Sequence, residues 1–526
     1  MQVREMLEIR RGGSYPGPSS QRTLGETVVA EAIYLAADLG ASSGRLVAGR
    51  FDGTRLELDE IHRFPNGPIT VGGTMFWDAL AQWREIQLGL RKAADRYGSQ
   101  ITSVGVDTWG VDYALLSRDD QLLGNPVHHR DRRTDGMMQR AFDIVPREEI
   151  FAATGLQFLP FNTLFQLLAM KEANSPLLEM ADTLLMMPDL FHWMLCGAKV
   201  NEFTNATTTQ FFDPQQGGWA TELLGRFDLP SHFLQKIVPP GTHLGVLRRD
   251  VSEATGLRGV EVVLPGTHDT ASAVMAVPAE SEASERPEWC YISSGTWSLM
   301  GVELPKPLVN EKCSRFNFTN EGGVGNTTRL LKNIAGLWLA QECRRVWAVE
   351  GRDYAWDELT KLAEAAPARA AFVDPDAADF LAPADMPAAI RSYCQRTGQT
   401  VPEEDGAVMR CAVESIAMKC RYVLGMLEEL TGGRIETIHI VGGGTQNRQL
   451  CQATADACGR RVLAGPVEAT AIGNLMTQAI ASRAVGSIGE AREIIRTSFP
   501  LVEYEPRETS AWDESFERFK GLVEKS

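Results

Sequence analysis

The chain has 526 residues, 44% of them hydrophobic and 23% charged, and its formal net charge is −16 at pH 7. This length suffices for two or three hydrophobic cores, and the composition is that of a water-soluble globular protein. The excess of acidic residues disfavours nucleic acid as a partner. No segment approaches the roughly 20 apolar residues that a membrane span requires.

The nine cysteines are spread along the chain, eight of them after residue 285, without a C-x-x-C pair. This usage predicts free thiols in a reducing compartment and hence a cytoplasmic location. Residues 1–30 have no apolar run after Arg10 and Arg11, and they carry three glutamates. They are interpreted as a disordered extension or a start codon placed too early. The sequence leaves open whether the protein is a monomer or a homodimer.

The predicted elements alternate between strands and helices. In chain order they are strands at 33–38 and 45–51, strand–turn–strand at 101–117, a helix at 187–197, a strand at 260–265, a helix at 270–277, strand–turn–strand at 290–303, helices at 330–347 and 406–430, a strand at 435–444 and a helix at 447–459. The pattern predicts an α/β protein whose two parts share one plan, with a ligand site between them.

The polar segment 279–288 contains proline and has no apolar period, so we predict that it is a linker. The expected organisation is an N-terminal domain at 31–278, a C-terminal domain at 289–500 and a tail or helix at 501–526.

Two loops rich in glycine and hydroxyl side chains follow predicted strands. "DLGASSGR" (38–45) lets backbone amides approach a phosphate, and Asp38 at the strand end is a candidate to hold Mg²⁺ through water. Alone, this segment is equally an ordinary hairpin. "SSGTWS" (293–298) has the same chemistry in the second part. Together the two loops predict that one polyphosphate is held from both sides.

Three further segments each have a functional and a structural interpretation. "VGGGTQN" (441–447) suits a planar ligand such as adenine, or is a tight strand-to-helix turn. "DTWGVD" (107–112) offers Trp109 as a sugar platform beside Gly110, or buries the indole in a turn. "HHRDRRT" (128–134) is interpreted as a salt-bridge node, with Arg130 as a possible anion ligand.

"PGTHDTASAV" (265–274) places Asp269 where a strand gives way to a helix. The helix dipole is expected to stabilise the carboxylate and lower its pKa. Asp269 is then either a helix cap, worth about 1 kcal/mol, or the base of a phosphoryl transfer, a reaction that needs an aligned hydroxyl more than a strong base. His268 is expected to bind substrate or to pack, because no partner with metal-ligand spacing lies near it.

In this order, the segments "DLGASSGR", "DTWGVD", "HDTASAV", "SSGTWSLMG", "TNEGG", "LKNIAGLWL" and "HIVGGGTQN" resemble the FGGY carbohydrate kinases, over roughly Ile33 to Phe499. The stretch "FNTLFQLLAM" (161–170) stands where glycerol- and xylulose-kinase-like members carry K-x-x-W. This favours the branch of the family that acts on L-rhamnulose.

The resemblance implies two actin-like, ribonuclease-H-like domains that close over a cleft. It also implies that MgATP phosphorylates the 1-hydroxyl of L-rhamnulose, with Asp269 as the catalytic base and Asp38 near Mg²⁺. The implied ATP contacts are Ala41, Ser42, Ser43, Gly44, Arg45, Thr296, Asn333, Gln341 and Gly443. The implied sugar contacts are Gly110, His268, Asp269 and Thr270. Asn333 and Gln341 are expected about two turns apart on one helix.

Two alternatives remain at this point. One is a kinase of the same family for another ketose, such as L-fuculose or D-xylulose. The other is an actin-like ATPase switch, a chaperone or sugar-sensing regulator, which would bind ATP without needing a base at position 269.

Overall fold

The computed structural model describes residues 31–381 and 383–525. The predicted extension at 1–30 lies outside the described residues. All nine cysteines lie within them and are free thiols, as the sequence predicts. None of the described helices combines the length and the apolar character needed to cross a membrane.

The first half, up to the predicted linker, contains fourteen strands and ten helices among the described residues. The strands are β1 (Ala32–Leu39), β2 (Ser43–Phe51), β3 (Leu56–Pro65), β4 (Pro68–Val71), β5 (Thr74–Trp77), β6 (Ile101–Thr108), β7 (Tyr113–Leu116), β8 (Thr183–Met186), β9 (Asn201–Glu202), β10 (Phe212–Asp213), β11 (Gly218–Trp219), β12 (Ile237–Val238), β13 (His243–Val246) and β14 (Glu261–Val263). The helices are α1 (Ala79–Tyr97), α2 (Met137–Ile144), α3 (Arg147–Thr154), α4 (Thr163–Glu172), α5 (Leu177–Met180), α6 (Met187–Cys196), α7 (Phe203–Ala206), α8 (Thr221–Arg226), α9 (Arg249–Thr255) and α10 (Asp269–Met275).

The second half follows the same alternation. Its strands are β15 (Trp289–Ser294), β16 (Trp297–Leu304), β17 (Thr319–Gly322), β18 (Thr328–Ala335), β19 (Thr437–Val441), β20 (Arg461–Ala464) and β21 (Val502–Tyr504). Its helices are α11 (Glu311–Phe316), α12 (Trp338–Val349), α13 (Trp356–Ala365), α14 (Met386–Arg396), α15 (Asp405–Thr431), α16 (Arg448–Cys458), α17 (Ala469–Ala481), α18 (Ile488–Ser498) and α19 (Thr509–Val523). Short 3₁₀ turns lie at Gly98–Gln100, Arg132–Thr134, Ala378–Phe380 and Gly443–Gln446.

Each half is built on one mixed sheet with a common topology. The first sheet has the order β13-β14-β6-β1-β2-β3. In it β14, β6 and β1 run parallel to one another, β2 runs antiparallel to β1, and β3 runs antiparallel to β2. The second has the order β17-β18-β16-β15-β19-β20-β21, in which β15, β19 and β20 are parallel. The strands β1 and β15 are buried almost throughout because parallel neighbours and helices cover them. The repeated plan predicted from the sequence is confirmed.

The two halves meet through α17, which belongs to the second half but packs against α10, β1 and β6 of the first. Leu475 and Met476 share an apolar cluster with Tyr34 and Val47. Beneath this cluster, the Ser103 hydroxyl donates to Gln478 Oε1 over 2.6 Å. These contacts place the ends of the two sheets on either side of one cleft.

One sequence prediction changes here. The predicted helix at 330–347 is a strand followed by a helix, because β18 pairs in full with β16 and the helix α12 begins only at Trp338. Gly336 separates them where a Cβ would lie 2.6 Å from Ser298 Oγ. The segment after residue 500, predicted as a tail or helix, contains the helix α19 and joins the second half: β21 pairs with β20, and Trp512 and Phe519 of α19 are buried in its core.

Candidate active site

The cleft between the sheets has a volume of about 630 Å³, which is within the range of small-molecule sites. Turns that follow β1, β6 and β14 form one wall, and turns that follow β15 and β19 form the other. Ligands of α/β proteins commonly bind outside the carboxyl ends of parallel strands, so the topology accounts for the position of this cleft.

Almost all of the residues predicted from the sequence line this cleft. They are Asp38, Ala41, Ser42, Ser43, Arg45, Gly110, His268, Asp269, Thr270, Thr296, Asn333, Gln341 and Gly443. Gly44 is the exception, since it does not line the cleft. A Cβ at Gly44 would lie 2.3 Å from Phe64 Cζ, so this glycine makes room for a core phenylalanine rather than for a phosphate.

Asp269 is the first residue of α10, with His268 in the capping position, so Asp269 is not the helix cap. Its Oδ1 accepts hydrogen bonds from the Thr270 amide at 2.5 Å and from the Thr270 hydroxyl at 3.1 Å. Burial raises the pKa of Asp269, with His268 opposing and the nearby Asp38 carboxylate reinforcing the effect. The expectation that the helix dipole lowers this pKa is therefore wrong, because desolvation in the cleft outweighs it.

His268 is held from the opposite half. Its Nδ1 lies 3.2 Å from Oε2 of Glu321 on β17 and 3.1 Å from Nη2 of Arg329 on β18. Its Nε2 lies 3.5 Å from Asp269 Oδ1. Arg329 is fully buried and donates to Glu321 Oε2 over 3.0 Å. A chain of polar and charged side chains thus runs from the second sheet to the carboxylate at the start of α10.

The first glycine–serine loop is held by ion pairs. Arg45 donates from Nε and Nη2 to Asp38 Oδ2, over 3.0 and 2.7 Å, and its Nη1 contacts the Glu468 carboxylate of the second half. Asp38 lies beside Asp107 in the parallel register of β1 and β6. Burial, reinforced by Asp38, raises the pKa of Asp107 well above its usual range. At this corner of the cleft, Asp38 and Asp107 therefore stand side by side, and Arg45 pairs with Asp38.

The second loop and the glycine triplet line the opposite wall. Thr296 donates its hydroxyl hydrogen to Gln341 Oε1 over 3.1 Å. Gly443 and Gln446 line the cleft, whereas Asn447 caps α16 by accepting from the Leu450 amide at 2.9 Å. The glycine triplet therefore forms the predicted strand-to-helix turn and lines the cleft, and its role toward a planar ligand stays a prediction.

Asn333 lies on β18 and not on the helix of Gln341, so the prediction of one shared helix is wrong. Its backbone amide and its side-chain Nδ2 both contact Gln157 Oε1, at 3.1 and 3.0 Å. Asn333 therefore joins the two halves near the first-half wall, while Gln341 stays beside Thr296.

Aromatic rings form the end of the cleft that "DTWGVD" supplies. Trp109 stacks on Trp77 at 3.9 Å, and both indole nitrogens donate to Oδ2 of the buried Asp112, over 2.9 and 2.6 Å. The same oxygen lies 2.8 Å from His129 Nδ1. A Cβ at Gly110 would lie 2.9 Å from the Thr208 side chain, so only glycine fits there. Trp109 is buried, as the structural interpretation of this segment predicts, and it also lines this end of the cleft beside His129.

In the described part of the chain, the basic segment 128–134 is a salt-bridge node only at His129, whose Nδ1 lies 2.8 Å from Asp112 Oδ2. His128 stacks on Trp77 at 4.2 Å, and within the described residues the arginines of the segment have no carboxylate partner within 4 Å. Arg130 lines the cleft, with its guanidinium 5.5 Å from the centre of the Trp338 ring.

Sequence reasoning missed several residues of the cleft. Gln157, Glu321 and Glu468 also line the cleft, and although Glu321 lies in the motif "TNEGG", no local pattern assigns any of the three a role at a site. His129 belongs to a basic run whose pattern does not single it out. Asp112 lies in "DTWGVD", but the sequence does not reveal that three aromatic or imidazole nitrogens meet at its carboxylate.

Family models match both halves of the chain. The N-terminal domain of the FGGY family of carbohydrate kinases matches residues 33–276, and its C-terminal domain matches residues 290–482. The two matches flank the predicted linker. The chain therefore belongs to the FGGY family of carbohydrate kinases and is itself a carbohydrate kinase.

Curated proteins that are similar to most of this chain include three rhamnulokinases. The rhamnulokinase of Bacteroides thetaiotaomicron is 43% identical over 490 residues, covering 93% of this chain and 99% of the relative. The rhamnulokinase of Oceanobacillus iheyensis is 41% identical, covering 89% and 97%. That of Bacillus subtilis is 38% identical, covering 90% and 96%.

Solved structures share the fold at low sequence identity. A xylulose kinase from Lactobacillus acidophilus superposes with a TM-score of 0.77 at 15% identity, covering 94% of this chain and 98% of its own. A glycerol kinase from Plasmodium falciparum, solved with ADP, gives 0.74 at 13% identity over 94% and 98%. The predicted two-domain kinase fold is thereby confirmed.

Proposed function

We propose that this enzyme transfers the γ-phosphoryl group of ATP to the 1-hydroxyl of L-rhamnulose in the cytoplasm, giving L-rhamnulose 1-phosphate and ADP. The observation that carries the proposal is the Asp269 carboxylate, which stands in a cleft shared by both halves beside two glycine–hydroxyl loops. The extended similarity to rhamnulokinases supports the choice of sugar.

The sugar is assigned to the aromatic end of the cleft. A ketose has an apolar face of C–H bonds and a rim of hydroxyls, which suits the Trp109 platform and the polar His129 beside it. Gly110, His268 and Thr270 complete the proposed sugar contacts. L-Rhamnulose also carries a methyl group at C6, and Leu156, Leu159 and Phe161 supply apolar surface to the same cleft.

The nucleotide is assigned to the loops. Backbone amides at 41–43 and the Thr296 turn surround the proposed triphosphate position, with Gln341 and Gly443 toward the nucleoside. The contact of Asn333 with Gln157 favours a place for Asn333 at the sugar end instead. Arg45 is proposed to exchange part of its pairing with Glu468 for a phosphate oxygen.

Carboxylates at the loop fit a magnesium ion. Among the described residues no three His, Cys, Asp or Glu side chains cluster as an all-protein metal site. Mg²⁺ bound to a nucleotide, however, needs only one or two carboxylates besides phosphates and waters. Asp38 meets that need through water, and the buried Asp107 Oδ1 beside it has no hydrogen-bond partner within the described chain. When bound there with ATP, Mg²⁺ would offset the negative charge of the phosphates.

The proposed transfer is an in-line displacement. The 1-hydroxyl oxygen attacks the γ-phosphorus, the bond from that phosphorus to the β–γ bridging oxygen breaks, and ADP leaves. The contacts from Thr270 and His268 all fall on Oδ1 of Asp269, which leaves Oδ2 to accept the hydroxyl proton. Closure of the two halves excludes water that would otherwise compete for the phosphoryl group.

A ketose panel tests the proposal. Purified enzyme is assayed for ADP release with L-rhamnulose, L-fuculose and D-xylulose, and the phosphorylated carbon is located by NMR. The expected result is the highest kcat/KM with L-rhamnulose and phosphate on O1. A higher kcat/KM with either other ketose would contradict the assigned substrate, and ATP binding without any sugar phosphorylation would favour an ATPase switch.

A further inference from the structure

The side chain of His268 links the carboxylate at the start of α10 to the opposite half. On one side of the imidazole, Nδ1 faces Glu321; on the other, Nε2 faces Asp269. Glu321 is buried, and although burial raises its pKa, His268 and Arg329 lower it to below its ordinary value. Glu321 is therefore a charged hydrogen-bond acceptor beside the imidazole.

A buried charged pair beside Nδ1 determines how the imidazole is held. The Arg329 guanidinium, which can only donate, donates to Glu321 Oε2 over 3.0 Å and to His268 Nδ1 over 3.1 Å, while Glu321 Oε2 lies 3.2 Å from the same nitrogen. The Glu321–Arg329 pair thereby fixes the ring plane, and Nε2 points to Asp269 and the cleft. The 3.5 Å between Nε2 and Oδ1 is an ion-pair distance and not a short hydrogen bond.

We propose that Glu321 is a positioning residue for phosphoryl transfer, which holds His268 so that Asp269 is oriented only when the two halves are together. The inference rests on the proposed function, since it assigns Asp269 as the base. Its consequence is specific. The second half supplies the nucleotide wall and also aligns the base of the first half, so an open cleft has a misaligned base.

Three variants test this with whichever ketose the wild-type enzyme phosphorylates best, so that a wrong sugar assignment does not affect the result. Glu321→Gln keeps the shape but removes the charge, and we expect kcat to fall by about 10- to 100-fold with KM for ATP within twofold of wild type. In a His268→Gln background, Glu321→Gln should lower kcat by less than a further twofold, because Glu321 acts through His268.

The matched control is Glu303→Gln. Glu303 lies opposite Arg329 in the sheet register and forms a comparable buried ion pair with Arg492, at 2.6 Å, but it does not line the cleft. The Glu303→Gln enzyme should lose about as much stability as Glu321→Gln and keep kcat within twofold of wild type. If Glu303→Gln loses as much kcat as Glu321→Gln, or if Glu321→Gln keeps kcat within twofold, the proposal is overturned.

Removal of one partner of a buried pair can itself unfold a protein. The double variant Glu321→Gln, Arg329→Met removes both charges and should restore the melting temperature relative to Glu321→Gln. We expect its kcat to stay at least about tenfold below wild type. Recovery of kcat together with the melting temperature would show that Glu321 serves stability alone.

Discussion

The crossing of α10 and α17 lies directly behind the candidate base, and one glycine permits it. A Cβ added at Gly473 of α17 would lie 1.8 Å from the backbone oxygen of Ser272 on α10. Because the obstacle is backbone and not a flexible side chain, Gly473→Ala must separate the two helices by more than about 1 Å. Asp269 begins α10, so the base moves with its helix.

The expected cost follows from opposing contributions. Alanine gains about 1 kcal/mol over glycine in a helix interior, while forced overpacking costs about 3 kcal/mol or more. We expect the free energy of unfolding of Gly473→Ala to fall by about 2 kcal/mol or more. A displacement of about 1 Å at a reacting group can lower kcat by about 100-fold.

The assay is urea unfolding followed by circular dichroism, together with kcat from ADP release. Gly425→Ala is the matched control, since Gly425 lies inside α15 with nothing within 4 Å of an added Cβ. The free energy of unfolding of Gly425→Ala should rise by up to about 1 kcal/mol, and the variant should keep full activity. A Gly473→Ala enzyme as stable as wild type, with kcat within threefold, would refute the close-packed crossing.

Three further predictions concern separate parts of the molecule. Thr296→Val, which removes the hydroxyl that donates to Gln341, should raise KM for ATP by about tenfold and leave ketose preference unchanged; a changed preference would mean that this loop faces the sugar. Asp112→Ala, which releases His129, should raise KM for the ketose by about tenfold and change KM for ATP less than twofold, and an equal rise in both would contradict the sugar platform. Burial, reinforced by nearby arginines, lowers the pKa of His439 to about 3, so the unfolded chain binds a proton between about pH 6.5 and 3 that the folded chain does not. The stability that this neutral histidine contributes is present above that pH range and is lost as pH falls. His439→Gln should therefore reduce the slope of unfolding free energy against pH by about 1.4 kcal/mol per pH unit near pH 5. Parallel curves of unfolding free energy against pH for the variant and wild type would contradict this.

The sequence predicted the loops well because their chemistry is local. A Gly–Ser turn after an apolar strand is visible in "DLGASSGR" and again in "SSGTWS", and both turns line the cleft. The repeated strand–turn–strand pattern likewise predicted two similar sheets. The order of the motifs then indicated the family, which the comparisons confirm.

The errors arise where tertiary structure overrides a local pattern. The run "LLKNIA" has an apolar spacing compatible with a helix, but it lies between two antiparallel strands whose backbone groups it pairs. The pKa of Asp269 depends on how deeply the cleft buries it, which helix position alone does not reveal. Glu321 was unpredictable for the same reason: its significance comes from a histidine 53 positions away that the fold brings to it.

The most direct test of the account is the Asp269→Asn enzyme, measured for MgATP affinity by calorimetry and for sugar phosphorylation by ADP release. The account predicts an affinity within threefold of wild type and turnover lower by at least about 100-fold, since only the proton acceptor is lost. Turnover within tenfold of wild type would contradict the assignment of Asp269 as the base on which the site is built.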